Sequence, residues 1–236
     1  MFRRAQSRGL TLVEIMVVLT IFALVVGVVI AGSSRTPAGS LRRSTTLIAS
    51  AVKVAYTRAT ATSKDLRLVL DMDAQKVWLE ESDIPMLAQS KDKTGTGGAD
   101  PVTVAEKEAL SEGNKILKGP PIPKPHFHAI EALGFDDTVP GKKGKPLPSG
   151  ITFRSVQTMH DDAPRASGRA YLYFWPGGRT ERASIQLRIG TSESSDQTMT
   201  VLVSPLTGRA TIKGGAVDLV VPTDDQQASE REDPGF

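Results

Sequence analysis

Between Leu10 and Ala31 the chain carries 22 residues with a single formal charge, Glu14. As a helix rising ~1.5 Å per residue, that run is ~33 Å long, enough for the hydrocarbon core of a bilayer. Val17, Val18, Leu19, Ile21, Phe22, Leu24, Val25, Val26, Val28, Val29 and Ile30 surround such a helix on all sides. An amphipathic surface helix would leave one polar face, and this run leaves none. Three arginines, Arg3, Arg4 and Arg8, precede it. Positive residues stay cytoplasmic, so the bulk of the chain is expected on the far side of the membrane. Two plainer readings exist. One is a cleaved secretory signal, with Ala31-Gly32-Ser33 imitating a small-residue cleavage site; the apolar run is long for that purpose. The other is a signal anchor.

Glu14 discriminates among these readings. On insertion scales a carboxylate in an apolar helix costs roughly 2.5–3.5 kcal/mol at mid-bilayer and less near the interface, so such a residue is by default functional and needs a partner. A cut after Gly9 would supply one, because Leu10 would then carry a free ammonium one helical turn from Glu14. In an assembly the amine of one subunit can meet the carboxylate of its neighbour. A buried pair of that kind specifies register more than it stabilises.

The segment Arg8-Gly9-Leu10-Thr11-Leu12-Val13-Glu14 resembles the class III signal of type IV pilins and type II secretion pseudopilins. That pattern is a short basic leader ending in Gly, then an apolar residue, Thr-Leu-Ile/Val-Glu and a long apolar helix. The resemblance implies cleavage after Gly9 by a prepilin peptidase, N-methylation of Leu10, and an assembly role for Glu14. The first mature residue of the family is usually Phe, and here it is Leu10.

Composition agrees with a cut there. The 236 residues include 29 Lys+Arg and 26 Asp+Glu. Removing Arg3, Arg4 and Arg8 leaves 26 basic against 26 acidic side chains, so the basic balance belongs to the leader. It gives no mandate for nucleic-acid binding. There is no cysteine, which rules out disulfides and thiolate metal sites.

After the interruption Gly32–Gly39, which contains Pro37, Ser40 is the expected N-cap of a second helix over Leu41–Lys64. Leu41, Ile48, Val52, Ala55 and Ala59 form its apolar stripe, broadened by Leu47, Ala51 and Val54. Leu66–Leu70 and Lys76–Leu79, joined by Asp71-Met72-Asp73-Ala74, read as a hairpin. The stretch from Glu80 to Pro148 is rich in Pro and Gly with weak periodicity. It reads as a long surface insertion with a short helix over Ala105–Leu117. Strands are expected at Gly150–Val156, Ala170–Trp175, Ala183–Ile189, Thr198–Val203, Arg209–Lys213 and Val217–Val221, with turns at Pro176-Gly177-Gly178 and Pro205–Gly208. The acidic tail Thr223–Phe236 reads as frayed.

Pro148-Ser-Gly-Ile-Thr-Phe153, Leu172-Tyr-Phe-Trp-Pro-Gly-Gly-Arg-Thr180 and Thr200-Val-Leu-Val-Ser-Pro-Leu-Thr-Gly-Arg-Ala210 are similar to the heads of GspH/FimT-type minor pilins. Those heads carry a strand ending in Pro-x-Gly (here Pro176–Gly178) and a terminal Gly-Arg element (here Gly208-Arg209). The resemblance covers roughly Leu10–Leu79 and Pro148–Lys213.

It implies an α+β, pilin-like fold: a long N-terminal helix, half transmembrane and half amphipathic, packed on an antiparallel sheet. The implied organisation is a leader over 1–9, a transmembrane and filament-core helix over 10–31, and a periplasmic head over 40–236 with an insertion at about 80–148. The implied role is a minor pseudopilin of a type II secretion system, with a FimT/FimU-like minor pilin of a type IV pilus, DNA uptake among its roles, as the alternative. The implied location is the inner membrane, single-pass, with the leader cytoplasmic and the head periplasmic, and then the periplasmic pseudopilus. The implied partners are the prepilin peptidase, other pseudopilins or pilins, the inner-membrane assembly platform, and secretin or secreted cargo.

No catalytic constellation appears. Gly95–Gly98 lacks the Lys-Ser/Thr that a phosphate-binding loop needs, and there is no Gly-x-Ser-x-Gly elbow. The chain reads as an enzyme's substrate, without catalytic residue or cofactor. His126 and His128 have no third ligand at a telling spacing, His160 being distant, and Asp71, Asp73, Asp136 and Asp137 repeat no EF-hand spacing, so no metal is expected. Lys142, Lys143 and Lys145, or Arg209 and Lys213, offer contacts to phosphates, but such lysines are more often a solvated loop.

Overall fold

The computed structural model describes residues 11–33, 36–86, 94–116, 124–132, 144–161 and 163–219, with side chains left out at 28–33 and 114–116. The expected cleavage and methylation residues Gly9 and Leu10 lie outside the described residues, as do Lys142, Lys143, Asp136, Asp137 and the acidic tail.

The chain is α+β: two helices come first, and antiparallel sheets follow with a third helix among their strands. Helix α1 spans Leu12–Ser33 and helix α2 spans Pro37–Thr62. The expected start of α2 at Ser40 is corrected. Proline is favoured in a first turn, where its missing N–H would be unpaired anyway, so Pro37 opens the helix. Thr36, restricted by the following proline, is extended at φ −69° and ψ 132° and serves as N-cap. The stripe residues Leu41, Ile48, Ala51, Val52, Ala55 and Ala59 are all buried. Ser44 and Thr45 are buried with them because their hydroxyls donate to carbonyls of the preceding turn.

Strands β1 (Asp65–Asp71) and β2 (Lys76–Ser82) form the expected hairpin. Helix α3 follows at Val104–Ile116, then β3 (Phe127–Ile130) and β4 (Lys145–Pro146). The remaining strands are β5 (Ile151–Thr158), β6 (Arg169–Trp175), β7 (Arg179–Thr180), β8 (Ala183–Ile189), β9 (Thr198–Val203) and β10 (Ala210–Gly214). They form two sheets. One has the order β3-β2-β1-β6-β7, with β4 also on β2, and the other has the order β10-β9-β8-β5. Helix α2 packs on both, and one core joins its stripe to Leu66, Leu68 and Leu70 of β1, Leu172 and Phe174 of β6, and Ile185 and Leu187 of β8.

The expected strand at Val217–Val221 is not formed over its described part. Residues 216–219 are irregular and cross the outer face of the second sheet. Their backbone groups bond to side chains there: Val217 N–H to Thr200 Oγ1 at 3.1 Å, Ser184 Oγ to the Val217 carbonyl at 2.6 Å, and Leu219 N–H to Gln157 Oε1 at 3.1 Å.

The stretch read as a surface insertion is built into the head where it is described. Two of its strands pair with β2, and its other parts cover the outer face of the first sheet. Val69, Trp78, Met86, Ala99, Phe127, Tyr171 and Tyr173 form a second core there. Alternation along β1 would put Arg67 in solvent; instead it is fully buried. Its Nε donates to Glu80 Oε2 at 2.7 Å, and its guanidinium lies between the rings of Phe127 and Tyr171, 4.4 and 4.3 Å from their centroids. Glu80 is completed by the Trp78 indole N–H at 2.8 Å. Thr103 and Glu106 begin α3 with a capping box: the Glu106 N–H donates to Thr103 Oγ1 at 3.3 Å and Glu106 Oε2 accepts the Thr103 N–H at 3.1 Å. The other Glu106 oxygen accepts the Tyr171 hydroxyl at 2.8 Å, which fastens α3 to β6.

Candidate functional site

Thr11 opens α1 as its cap. The Glu14 N–H donates to Thr11 Oγ1 at 3.3 Å and the Ile15 N–H to the Thr11 carbonyl at 3.2 Å. Glu14 is therefore the third helical residue, where the helix dipole favours a negative charge. That is the local reason a carboxylate is tolerated there, and it leaves the assembly role to other evidence. Among the described residues the Glu14 carboxylate has no hydrogen-bond or ion-pair partner.

The other polar side chain in the run, Thr20, needs no outside partner, because its hydroxyl donates to the Met16 carbonyl at 2.7 Å. Every described side chain of α1, from Leu12 to Gly27, is exposed. Leu12 at 75% and Val13 at 68% head a set of twelve large apolar side chains open to solvent. At ~1.5–3 kcal/mol each, burying them is worth on the order of 20 kcal/mol. Among the described residues no helix is long and apolar enough to cross a membrane. The fully described part of α1 ends at Gly27, whereas its backbone helix runs on to Ser33.

In the head, the two turns singled out by the sequence meet one residue of α2. Tyr56 Oη donates to the Gly178 carbonyl at 2.8 Å, with the Leu206 carbonyl at 3.3 Å. A Cβ on Gly208 would come within 2.2 Å of the Tyr56 ring, and one on Gly178 within 2.9 Å of its hydroxyl. The turns are also joined directly, the Thr180 N–H donating to the Pro205 carbonyl at 2.9 Å. The Pro-x-Gly and Gly-Arg elements thus form one joint where α2, the end of the first sheet and the β9–β10 turn converge. Tyr56 was not singled out by the sequence. It stands beside the apolar stripe, one turn after Val52 and one before Ala59, and its polar tip hid its role.

The other sequence candidates are not brought together. His126 and His128 are exposed on either side of the buried Phe127, His126 Nδ1 at 3.2 Å from Asp100 and His128 Nε2 at 3.7 Å from Glu81. Asp71 is bound by Arg169 Nε at 2.9 Å and Asp73 by the Gly168 N–H at 3.0 Å. Among the described residues no group of three metal-ligating side chains converges. Arg209 and Lys213 are exposed at the two ends of β10.

Glu81 at the end of β2 gathers Arg58 and Lys64, each at 3.1 Å, and so ties the end of α2 to the sheet. Partial burial pushes its carboxyl up, but the hydrogen bonds and charges of Lys64 and Arg58 outweigh that and hold it below the usual carboxylate range.

Comparison with known proteins gives three findings. Residues 4–30 match the family model described as the prokaryotic N-terminal methylation motif. No curated protein sequence matches the chain. Among solved structures, the minor pseudopilin EpsH from the type 2 secretion system of Vibrio cholerae is similar at 10% identity and a TM-score of 0.40, covering 75% of this chain and 96% of that one. A likeness that loose carries no functional argument. The motif places a pilin-type methylation signal over the residues that run into α1.

Proposed function

We propose that this chain is a minor pseudopilin of a type II secretion system. In this reading residues 1–9 are a leader that a prepilin peptidase removes after Gly9. Leu10 becomes the methylated N-terminus. Residues 10–31 hold the chain in the inner membrane with the leader cytoplasmic and the head periplasmic, and afterwards pack in the core of a periplasmic pseudopilus. The head, from α2 onward, meets neighbouring pseudopilins, the assembly platform, and secretin or cargo. The chain has no chemistry of its own and is the peptidase's substrate.

One observation carries the reading. A methylation motif runs directly into a helix whose apolar side chains are uncovered and whose lone carboxylate, Glu14, has no partner among the described residues. Bilayer and filament core both cover such a helix. Only a filament also offers Glu14 the N-terminal ammonium of a neighbour, which offsets its burial. The head's resemblance to GspH/FimT-type minor pilins fits both a secretion pseudopilus and a type IV pilus, and the neighbouring genes discriminate: secretion-operon genes favour the first, pilus-assembly genes the second.

The substitution Glu14→Ala tests this. The variant is expected to insert and to be cut at Gly9 like the native chain, yet to be depleted from sheared or cross-linked pseudopilus and to secrete poorly. Normal assembly and secretion by the variant would refute the register role.

A further inference from the structure

Beyond assembly through α1, we infer that the head binds an extended acidic segment of a partner protein as an added strand, on the free edge of β10 and in the groove between that strand and α2.

The free edge follows from the register. The Ser204 N–H donates to the Arg209 carbonyl at 3.0 Å, and the Gly215 N–H to the Thr198 carbonyl at 2.9 Å. Bonded and non-bonded pairs alternate along an antiparallel ladder. Thr211 and Lys213 therefore turn their backbone groups to β9, and Ala210, Ile212 and Gly214 turn theirs away from it. Among the described residues nothing bonds to these outward groups. The opposite edge of the same sheet is protected. On β5 the register shifts between Phe153 and Ser155, and Val156 exchanges two hydrogen bonds of 2.8 Å with Arg165. β10 has neither device: it pairs with β9 residue by residue and contains no proline.

Helix α2 forms the inner wall of the groove. At the far end of β10, Arg42 shares a pocket with Gly214 and Gly215. At the near end, the Tyr56 ring seats against Gly208. Arg42, Ala49, Lys53 and Tyr56 follow one another at seven-, four- and three-residue steps, which puts them on one line of the helix. That flank runs alongside β10 from its end to its start. Ala49, Ala210 and Ile212 are partly buried against the main core and give the groove an apolar floor.

The walls select the occupant. Helix α2 contains no acidic residue. Arg42 and Lys53 on its flank, and Arg209 and Lys213 on the strand side, are exposed, and among the described residues none has an ion-pair partner. Asp196 is the carboxylate that lines the pocket at the far end. Outward N–H and C=O groups need acceptors and donors in turn. A peptide backbone supplies both, whereas a phosphodiester has no donor. The cations call for carboxylates. A second β10 is disfavoured, because pairing edge to edge would bring the Arg209 and Lys213 of both copies together. Side chains of the added strand alternate, so every second one lies over Ile212 and Ala49 and the others lie beside Lys213 and Arg209. A segment that alternates apolar and acidic residues meets both demands.

The test uses the full chain in detergent micelles and synthetic peptides of about ten residues, the length of a long strand. One alternates Val and Glu, and its counterpart alternates Val and Lys. The Val-Glu peptide should bind and the Val-Lys peptide should not. Amide hydrogen exchange should show new protection at Ala210, Ile212 and Gly214 and little change at Thr211 and Lys213, which β9 already holds. Methylating the peptide's backbone nitrogens at either its Val or its Glu positions should weaken binding about tenfold for one set and little for the other, because only one set faces β10. Arg42→Glu with Lys213→Glu changes two exposed side chains and should reverse the preference, so that the Val-Lys peptide binds better. No binding of the Val-Glu peptide up to about 1 mM, no protection at the three outward amides, equal effects of the two methylations, or an unchanged preference in the double variant would overturn the proposal. So would equally tight binding of a polyphosphate of the same charge, which would mark a mere anion surface.

Discussion

The ring of Tyr56 fills the space that a side chain on Gly208 would need: the nearest ring carbon is 2.2 Å from where that Cβ would stand. Gly208 also has φ +60°, which strains any other residue but Asn or Asp. Two independent demands, space and backbone, therefore fall on one position. Gly208→Ala should destabilise the head by about 2–4 kcal/mol through overpacking and strain. Tyr56→Phe keeps the ring and removes only the hydroxyl that holds the Gly178 carbonyl, so it should cost about 1 kcal/mol. Urea denaturation of the two variants beside the native chain checks the ranking. Equal losses would mean that the joint acts through its hydrogen bond and not through its fit.

The buried pair of Arg67 and Glu80 makes a second prediction. Burial favours a neutral Arg67, but Tyr173, Glu80 and Tyr171 hold its proton more tightly, so the group stays charged. Glu80→Ala would leave that charge with two aromatic rings and no counterion. A loss of about 3–5 kcal/mol is expected, the range for breaking a buried pair from one side. Replacing both partners with apolar residues, as in Arg67→Met with Glu80→Leu, should recover most of it. Thermal denaturation of single and double variants measures the coupling; additive losses would show that the two residues do not act as a pair.

Much of the head was legible because its elements repeat. The stripe on α2, the alternation of Leu66, Leu68 and Leu70, and the runs at Ala183–Ile189 and Thr198–Val203 each turn one apolar face to the main core, and that leaves a period in the residues. The cover over the first sheet left no such trace. Met86, Ala99 and Phe127 are single apolar residues in separate polar contexts, and what unites them is a surface on β1, β2 and β6 that only folding assembles. Arg67 and Glu80 were likewise unreadable: in sequence each is an outward-facing charge on a strand, and in the fold each is the other's partner. The N-terminal motif was legible because its logic is local: a basic leader, a small residue, a carboxylate and an apolar run stand next to one another. The described side chains of α1 are all exposed, and so no period there marks a buried face.

Glu81 sets the expected behaviour in acid. Its carboxyl titrates below the usual range because Lys64 and Arg58 hold the charged form. The stability it contributes is complete above about pH 4.3, the unfolded glutamate value, and is lost as pH falls through the lower folded value. Glu81→Gln should lower stability at neutral pH and flatten the fall below about pH 4. Denaturation midpoints across that range for the native chain and the variant decide the matter, and parallel curves would show that other carboxylates govern the acid limb.

In the proposed reading, Gly9, Leu10 and Glu14 together turn an apolar helix into a processed filament subunit. Its most direct test is the intact mass of the chain extracted from membranes of cells that carry the prepilin peptidase. The expected product is a mature chain that begins at Leu10 and carries one added methyl group, with an unprocessed chain when the peptidase is absent. A chain that keeps residues 1–9 in the presence of the peptidase, or one cut near Ala31, would contradict it.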